Sequence, residues 1–397
     1  MSEYAKSGVD YGVMEPFKQK MIAMGKRTLL FPNRRDVYIN GEVLHAHGGV
    51  FEYRGNFPHL WCSTQEGLGN KNWIAEWMYA NAATAAAEQR RPNAEQRGSM
   101  LGAESEFSRG ANGTYYEGIA IDAALMATND VIAQGAMPVV FTDEVAVGDS
   151  AWFADEKRAS DLAEGYFKIC KEVGMALPAG ESPALRYLLK PEPPVKSAPS
   201  LSGCVTGIIA PKERIITGKK LKPGCRIIGV TSSGIHANGI SLLIKRALEL
   251  PDKFLTKLPN GKTLGEEALI PTRSYVALIE ALQKENVEMC ALLPGTGDGV
   301  GKLAFDKRQF TYRIHTWTNV PVIFQFMSEI GVSLQDCLKT FNWGIGYYIF
   351  VPPEEVGRTL SVGKQAGYEL IDIGVVEEGK RQVIFRPENI VLLPPGE

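Results

Sequence analysis

The first half of the chain mixes helical patterns with short apolar strands. Four segments have helical apolar spacing or are rich in helix-forming residues: 17–24, 74–90, 118–136 and 159–173. Two apolar runs predict buried strands: 138–147 and 204–210. Short strands at 37–39 and 43–44 flank Asn40 and Gly41. Because both of these residues tolerate positive φ, they predict a tight hairpin.

The second half has the same mixture. Apolar runs predict strands at 226–231 and 347–351, and two short strands within 375–385. Helices are expected at 240–248, 272–285 and 353–366. Between the halves, residues 211–224 are polar and turn-rich, so we place a domain boundary there, giving domains 1–210 and 211–397. The predicted fold class is α+β or α/β with two domains.

Composition narrows the class of protein. Hydrophobic residues make up 45% of the chain and charged residues 22%, and the net charge is −2. A sequence-wide basic field for nucleic acid or for an anionic membrane is therefore missing. No run of about 18 apolar residues predicts a membrane span, and the first residues lack the apolar core of a signal peptide. The six cysteines have no metal-binding spacing, so we expect reduced thiols in a cytoplasmic enzyme acting on a small molecule.

A glycine turn at residues 66–71 is the first candidate site. Gly67 and Gly69 let backbone N–H groups approach an anion, Lys71 adds positive charge, and Glu66 can hold magnesium. The alternative is an ordinary surface turn before a helix.

Acidic side chains form the second candidate site. Asp122 and Asp130 are separated by slightly more than two helical turns, so their carboxylates project to roughly the same face of an otherwise apolar helix. Buried carboxylates need partners, and a divalent metal is one of them. Asp143 and Glu144 at a strand end, and Glu181, are further acids that could converge on a nucleotide or remain plain loop acids.

Residues 229–241 form the sharpest candidate site. A strand leads into Ser232, Ser233, Gly234, His236 and Asn238, and a helix follows. Hydroxyls, glycines, an imidazole and a helix N-terminus are suited to binding phosphate. The alternative is a capped strand–loop–helix turn. Two other features are weaker. Residues 294–302 lack the spacing of a dinucleotide loop, and two histidines, His45 and His47, lack a third metal ligand.

Taken in order, these motifs resemble the aminoimidazole ribonucleotide synthetase (phosphoribosylformylglycinamidine cyclo-ligase) family. The resemblance spans nearly the whole chain and rests on residues 4–10, 48–51, 66–71, 118–122, 129–138, 141–143, 180–181, 232–239, 271–276 and 341–346. It implies an N-terminal domain whose sheet pairs across a homodimer into a barrel, and a C-terminal α/β domain. ATP and Mg²⁺ are implied between the domains, where ATP phosphorylates a formamide oxygen before ring closure.

The resemblance also implies roles for individual residues. The implied catalytic residues are Lys71, Glu181 and His236. The implied ATP-binding residues are Asp10, Gly67, Gly69, Lys71, Asn129 and Asp143. The implied substrate-binding residues are Ser232, Ser233, His236, Asn238, Thr272 and Arg273. The implied magnesium ligands are Glu66, Asp122 and Asp130.

The chain departs from the family pattern at Glu66, Asn70, Ala184 and Leu292, where the family has Asp, Thr, Glu and His. It also has longer segments near 80–114 and 183–200. Two alternatives therefore stay open: a diverged member that phosphorylates another small molecule, and a non-catalytic nucleotide-binding paralogue.

Overall fold

The computed structural model describes residues 3–41, 49–89, 113–394 and 396. The helices are α1 (Glu3–Lys6), α2 (Tyr11–Lys26), α3 (Lys71–Gln89), α4 (Tyr116–Val131), α5 (Glu156–Val173), α6 (Ile240–Glu249), α7 (Leu264–Ala268), α8 (Val276–Lys284), α9 (Val322–Glu329), α10 (Leu334–Thr340) and α11 (Val356–Gln365). The strands are β1 (Val37–Ile39), β2 (Phe51–Tyr53), β3 (Leu60–Gly67), β4 (Met137–Ala146), β5 (Ala176–Glu181), β6 (Ser200–Ile209), β7 (Arg226–Thr231), β8 (Ala291–Pro294), β9 (Phe310–Ile314), β10 (Ile345–Val351), β11 (Leu370–Glu378), β12 (Gln382–Phe385) and β13 (Ile390–Leu392).

A four-stranded sheet organises the first half of the chain, in the order β3-β6-β4-β5. Helices α4 and α5 pack together, and α4 also contacts β3 and β6, so the two helices cover one face of this sheet. Almost every residue of α4 is buried, which is typical of a helix that is apolar on all sides. This burial encloses the acids that α4 carries.

The other face of this sheet is partly open. The β1–β2 ribbon packs near one end of it, where Phe51 contacts Trp61. Towards the other end, Ser63, Gln65 and Glu144 are exposed. The predicted hairpin at Asn40 and Gly41 is wrong, because Ile39 pairs with Phe51 and the chain does not turn back at once. The predicted strand at 43–44 and the two histidines His45 and His47 lie outside the described residues.

A seven-stranded sheet forms the second half, in the order β13-β12-β9-β11-β7-β10-β8. Every residue of its inner strand β10 is buried. Among the described strand pairs of this sheet, only β12 and β9 run parallel. The fold is therefore mixed α+β, and this sheet lacks the parallel arrangement expected of an α/β domain.

The two halves meet directly. Helix α3 contacts α7, α4 contacts β8, and α8 contacts β4. Segment 270–275, which connects α7 to α8, lies at this junction and receives hydrogen bonds from both halves. Within the described part of the chain, no helix has both the length and the apolar character needed to cross a membrane.

Candidate active site

A buried ion pair lies at the junction of the two halves. Lys71 Nζ is 2.8 Å from Asp122 Oδ2, and both side chains are completely buried. Lys71 also donates to the carbonyl of Ile270 at 2.7 Å. Burial lowers the pKa of the Lys71 ammonium and raises the pKa of the Asp122 carboxyl, while their mutual attraction opposes both shifts. The pair joins the glycine turn of the first half to helix α4.

Segment 270–275 is bound by two side chains of α4. Asp122 Oδ1 accepts hydrogen bonds from the backbone N–H and the hydroxyl of Thr272, at 2.7 and 2.5 Å. Two turns later, Asn129 donates to the carbonyl of Arg273 at 3.0 Å and accepts from the Tyr275 N–H at 3.1 Å. Helix α8 begins at Val276 and not at 272 as predicted, and Asp122 and Asn129 bind the residues that precede it.

The loop after β7 is fixed by neighbouring loops. The Ser232 hydroxyl donates to Asn342 Oδ1 at 3.2 Å, and Asn342 in turn donates to the carbonyl of Gly234 at 2.8 Å. The Ser233 hydroxyl donates to the carbonyl of Pro271 at 2.7 Å. Asn238 Nδ2 is buried and has no hydrogen-bond partner among the described residues. The structure thus brings this predicted phosphate loop against segment 270–275.

His236 is buried and neutral. It is 1% exposed, its φ is 59°, and its Nε2 has no hydrogen-bond partner among the described residues. Burial, with smaller contributions from Lys71 and Arg273, lowers its pKa from 6.5 to about 3. The imidazole at position 236 is therefore expected to be neutral near neutral pH in this conformation.

The three predicted magnesium ligands do not come together. Glu66 raises the pKa of Asp130 electrostatically, so these two carboxylates are neighbours. Asp122 is instead occupied by Lys71 and Thr272. Within the part of the chain that the structure describes, no three His, Cys, Asp or Glu side chains form a group able to hold a metal. The shared helix face predicted for Asp122 and Asp130 did not take into account that a lysine neutralises one of them.

Of the three predicted magnesium ligands, Asp130 has the buried carboxylate oxygen most in need of a partner. Its Oδ1 is buried without a hydrogen-bond partner among the described residues. Its pKa is raised to about 6, mainly by burial; Lys302 and Thr296 oppose the rise, and Glu66 adds to it. A divalent cation would satisfy this oxygen and reverse the cost of burying its charge.

Two predicted residues, Asp143 and Glu181, lie on opposite faces of the four-stranded sheet. Glu66, Gly203, Asp143 and Gly180 form one row across β3, β6, β4 and β5, so Asp143 shares the helix-covered face with Glu66. Burial raises the pKa of Asp143 to about 7. Glu181 belongs to the next row, on the open face, and is exposed. The structure therefore does not bring Glu181 to Lys71 and His236.

Asp10 and Arg273 have structural partners. Asp10 is the N-cap of α2, where its carboxylate accepts from the Gly12 N–H at 2.9 Å. The Arg273 guanidinium stacks 4.3 Å from the ring centre of Tyr368 and donates to the carbonyl of Gly367 at 2.6 Å. Gly67 ends β3, and Gly69 lies in the turn before α3 with a φ of 75° that favours glycine.

Two polar residues of the site were missed as site residues. Asn342 lies within a motif that was matched to the family, but no role was given to it. Lys302 ends the glycine-rich segment 294–302, whose spacing is not that of a dinucleotide loop and therefore does not predict a site. The available signal was the lysine itself, since glycine loops that bind phosphate often include one.

Both halves of the chain match known domain families. Residues 99–209 match the AIR synthase related protein, N-terminal domain, and residues 222–386 match the AIR synthase related protein, C-terminal domain. A phosphoribosylformylglycinamidine cyclo-ligase of Alkaliphilus oremlandii is 34% identical over 279 residues, which are 68% of this chain and 78% of that protein. The cyclo-ligase of Carboxydothermus hydrogenoformans is 34% identical over 276 residues, covering 68% and 77%.

Solved structures share the fold at low identity. The hydrogenase maturation protein HypE in complex with ATP superposes with a TM-score of 0.55 and 14% identity, over 89% of each chain. Thiamine-monophosphate kinase of Stenotrophomonas maltophilia gives 0.55 and 12%, over 96% of this chain and 98% of that one. With both domain families matched in order and cyclo-ligases more than 30% identical, the chain belongs to the AIR synthase-related family.

Proposed function

We propose that this chain is an ATP-dependent phosphoribosylformylglycinamidine cyclo-ligase of purine biosynthesis. Its relatives of that name cover two thirds of the chain, and a fold neighbour is described in complex with ATP. The observation that carries the proposal is the junction at 270–275. There, the glycine turn, helix α4 and the loop after β7 are joined by hydrogen bonds although they are far apart in sequence.

The proposed chemistry has two steps. The formamide oxygen of formylglycinamidine ribonucleotide attacks the terminal phosphorus of ATP, the bond to the bridging oxygen breaks, and ADP leaves. The amidine nitrogen then attacks the activated carbon, the carbon–oxygen bond breaks, phosphate leaves, and the imidazole ring closes with loss of a proton. Such reactions depend on charge neutralisation and exclusion of water more than on a protein nucleophile. The buried polar junction fits this demand.

Glu66 and Asp130 are our proposed magnesium ligands. The unsatisfied, buried Oδ1 of Asp130 supports this assignment, as does the proximity of the two carboxylates. Magnesium, when bound, neutralises charge on the triphosphate. Asp122 and Lys71 do not bind the metal in this proposal; they position segment 270–275 against the glycine turn. We assign the loop 232–238 to the substrate phosphate, with neutral His236 and Asn238 as hydrogen-bond donors.

ADP release tests the activity. The purified chain is assayed with ATP and formylglycinamidine ribonucleotide, and in parallel with thiamine monophosphate and other small molecules. We expect release with the ribonucleotide alone. Asp130→Asn removes one charge with little change in volume, so turnover should fall at least 100-fold while the fold is kept. Release with another substrate, or ATP binding without turnover on any of them, would overturn the proposal.

We further propose a homodimer in which the open face of the four-stranded sheet is covered by the partner. This face carries exposed Gln65, Glu144 and Glu181, and Trp61 is 42% exposed. A sheet with one open face is a natural site for association. Covering it by a second copy would also place Glu181 at an interface, which gives this predicted catalytic residue access to the partner's site.

Light scattering tests the dimer. Thr206, half-buried on the open face, is changed to arginine, and Ser361 on the exposed side of α11 is changed to arginine as the matched control. We expect twice the monomer mass for the wild type and for Ser361→Arg, and a shift toward monomer for Thr206→Arg. A folded wild-type monomer at micromolar concentration would contradict the proposal.

A further inference from the structure

Segment 294–302 lies at the candidate magnesium site although its sequence is not that of a dinucleotide loop. The segment follows β8, and its final lysine, Lys302, acts electrostatically on both Asp130 and Glu66. The hydroxyl of Thr296 accepts from Lys302 Nζ at 3.0 Å, and the same side chain lowers the pKa of Asp130. Lys302 and Thr296, from the second half of the protein, therefore act on Asp130 of the first half.

The Lys302 ammonium is held without being neutralised. Two of its contacts are with Thr296, one to the hydroxyl and one to the carbonyl oxygen. An ammonium has three N–H donors, so one remains for another acceptor. Burial lowers the pKa of the Lys302 ammonium, and the carboxylates of Asp130, Asp298 and Glu66 oppose this shift. Among the described residues none of the three forms an ion pair with Lys302.

The other lysine of the site is already occupied. Lys71 is fully buried, paired with Asp122 and bound to the Ile270 carbonyl. Releasing it to bind a phosphate would leave Asp122 buried without its counter-charge, which is costly. Both lysines make two such contacts, but only the charge of Lys71 is already paired, so of the two Lys302 is the one whose charge is available to a ligand.

The charge around Lys302 decides which ligand it suits. Three carboxylates act electrostatically on one ammonium, so their excess negative charge opposes binding of a free triphosphate. A magnesium-bound triphosphate would suit both kinds of charge. The carboxylates would coordinate the metal, and the ammonium would donate a hydrogen bond to a phosphate oxygen. We propose that Lys302 is a binding residue for the phosphate chain of ATP, in the role first expected of Lys71. This inference rests on the proposed ATP site at Glu66 and Asp130.

Equilibrium ATP binding tests the inference. The dissociation constant for ATP with magnesium is measured by calorimetry on the full chain, without the second substrate. Lys302→Met should weaken ATP binding by about 10- to 100-fold, the range for a lost hydrogen bond to a charged group. Lys302→Arg keeps the charge and should lose less. Lys307→Met, an exposed lysine five residues later, is the matched control and should bind as the wild type does.

Two outcomes would overturn the inference. The first is a Lys302→Met variant that melts like the wild type and binds ATP within twofold of it. The second is unchanged ATP binding with a raised Michaelis constant for the ribonucleotide, which would place Lys302 on the other substrate. Because binding is measured without turnover, the two proposals fail separately. A wild type that binds ATP through Lys302 but does not convert the ribonucleotide contradicts only the proposed function.

Discussion

The Lys71 ammonium lies 2.8 Å from the Asp122 carboxylate in a site that solvent does not reach. One residue begins α3 and the other lies in the middle of α4. Since Asp122 also binds Thr272, the ion pair organises three separate parts of the chain. A pair of this kind contributes to geometry first, and its disruption is expected to affect folding before catalysis.

Removing one partner of this pair should be strongly destabilising. Lys71→Met leaves a buried, uncompensated carboxylate, so the free energy of unfolding should fall by about 3–5 kcal/mol. Lys220→Met breaks the exposed pair with Glu288 and should cost less than about 1 kcal/mol. Urea unfolding of both variants measures the difference. A Lys71→Met variant as stable as Lys220→Met would show that the pair has no structural role.

Gly346 has no room for a side chain. A Cβ at this position would overlap the hydroxyl of Tyr275 and lie 2.5 Å from Cε1 of His236. Gly346→Ala should therefore destabilise the protein by about 1–3 kcal/mol and lower turnover, because His236 and Tyr275 must move. Gly357→Ala in α11 meets no atom within 4 Å and should stabilise by about 0.5–1 kcal/mol. Thermal unfolding measures the stability of both variants, and ADP release measures their turnover. Equal stability and turnover of the two variants would show that Gly346 is not tightly packed.

Asp143 should make stability depend on pH. Its pKa is about 7 in the folded protein against an ordinary 3.8, so the folded state binds the proton more tightly than the unfolded state does. Stability should fall as pH rises from about 4 to about 7. Asp143→Asn removes this dependence, and at pH 8 should be more stable than the wild type by on the order of 4 kcal/mol.

The control for Asp143 is its neighbour. Glu144 is exposed and projects to the opposite face of the sheet, so Glu144→Gln should keep the wild-type pH dependence between 4 and 7. Unfolding is followed in urea at several pH values for all three proteins. Parallel curves for Asp143→Asn and the wild type would show that Asp143 is ionised when folded.

His236 should contribute to substrate binding without a pH signature. We expect His236→Ala to raise the Michaelis constant for the ribonucleotide about tenfold and that for ATP much less. Because the pKa of His236 is about 3, the ratio of variant to wild type should stay constant from pH 5 to 8. His315→Ala, an exposed histidine, is the control. An ionisation between pH 5.5 and 7.5 that disappears only in His236→Ala would mean that the ring is charged in the complex.

Local patterns predicted most elements because they depend on neighbouring residues. Apolar spacing indicated α4 and α5, and the apolar runs indicated β4 and β7, with ends shifted by a few residues at most except at the C-terminal end of α4. The hairpin failed because Asn40 and Gly41 permit a tight turn without requiring one. The contacts of the segment before α8 could not be predicted locally, since they are made by Asp122 and Asn129, about 150 residues earlier.

The sequence indicated which residues belong to the candidate site better than it indicated which of them contact one another. Residue types and order indicated Glu66, Lys71, Asp122, Asp130 and His236. Which charges meet is a tertiary property, so the ion pair of Lys71 with Asp122, and the electrostatic repulsion between Glu66 and Asp130, became visible only in the folded chain. The neutral state of His236 likewise follows from its burial, which a single polar residue in a glycine loop does not reveal.

The hydrogen bonds at segment 270–275 also bear on how the chain can be cut. Expressed alone, residues 1–210 would retain Asp122 and Asn129 but lose Thr272 and Tyr275, which those side chains bind. The fragment 211–397 would keep Thr272 and Tyr275 but lose Asp122 and Asn129, so the backbone N–H groups of Thr272 and Tyr275 would have no acceptor. Two such halves present matching, unsatisfied surfaces, so a split protein is expected to reassemble when its fragments are co-expressed and to aggregate when either is made alone.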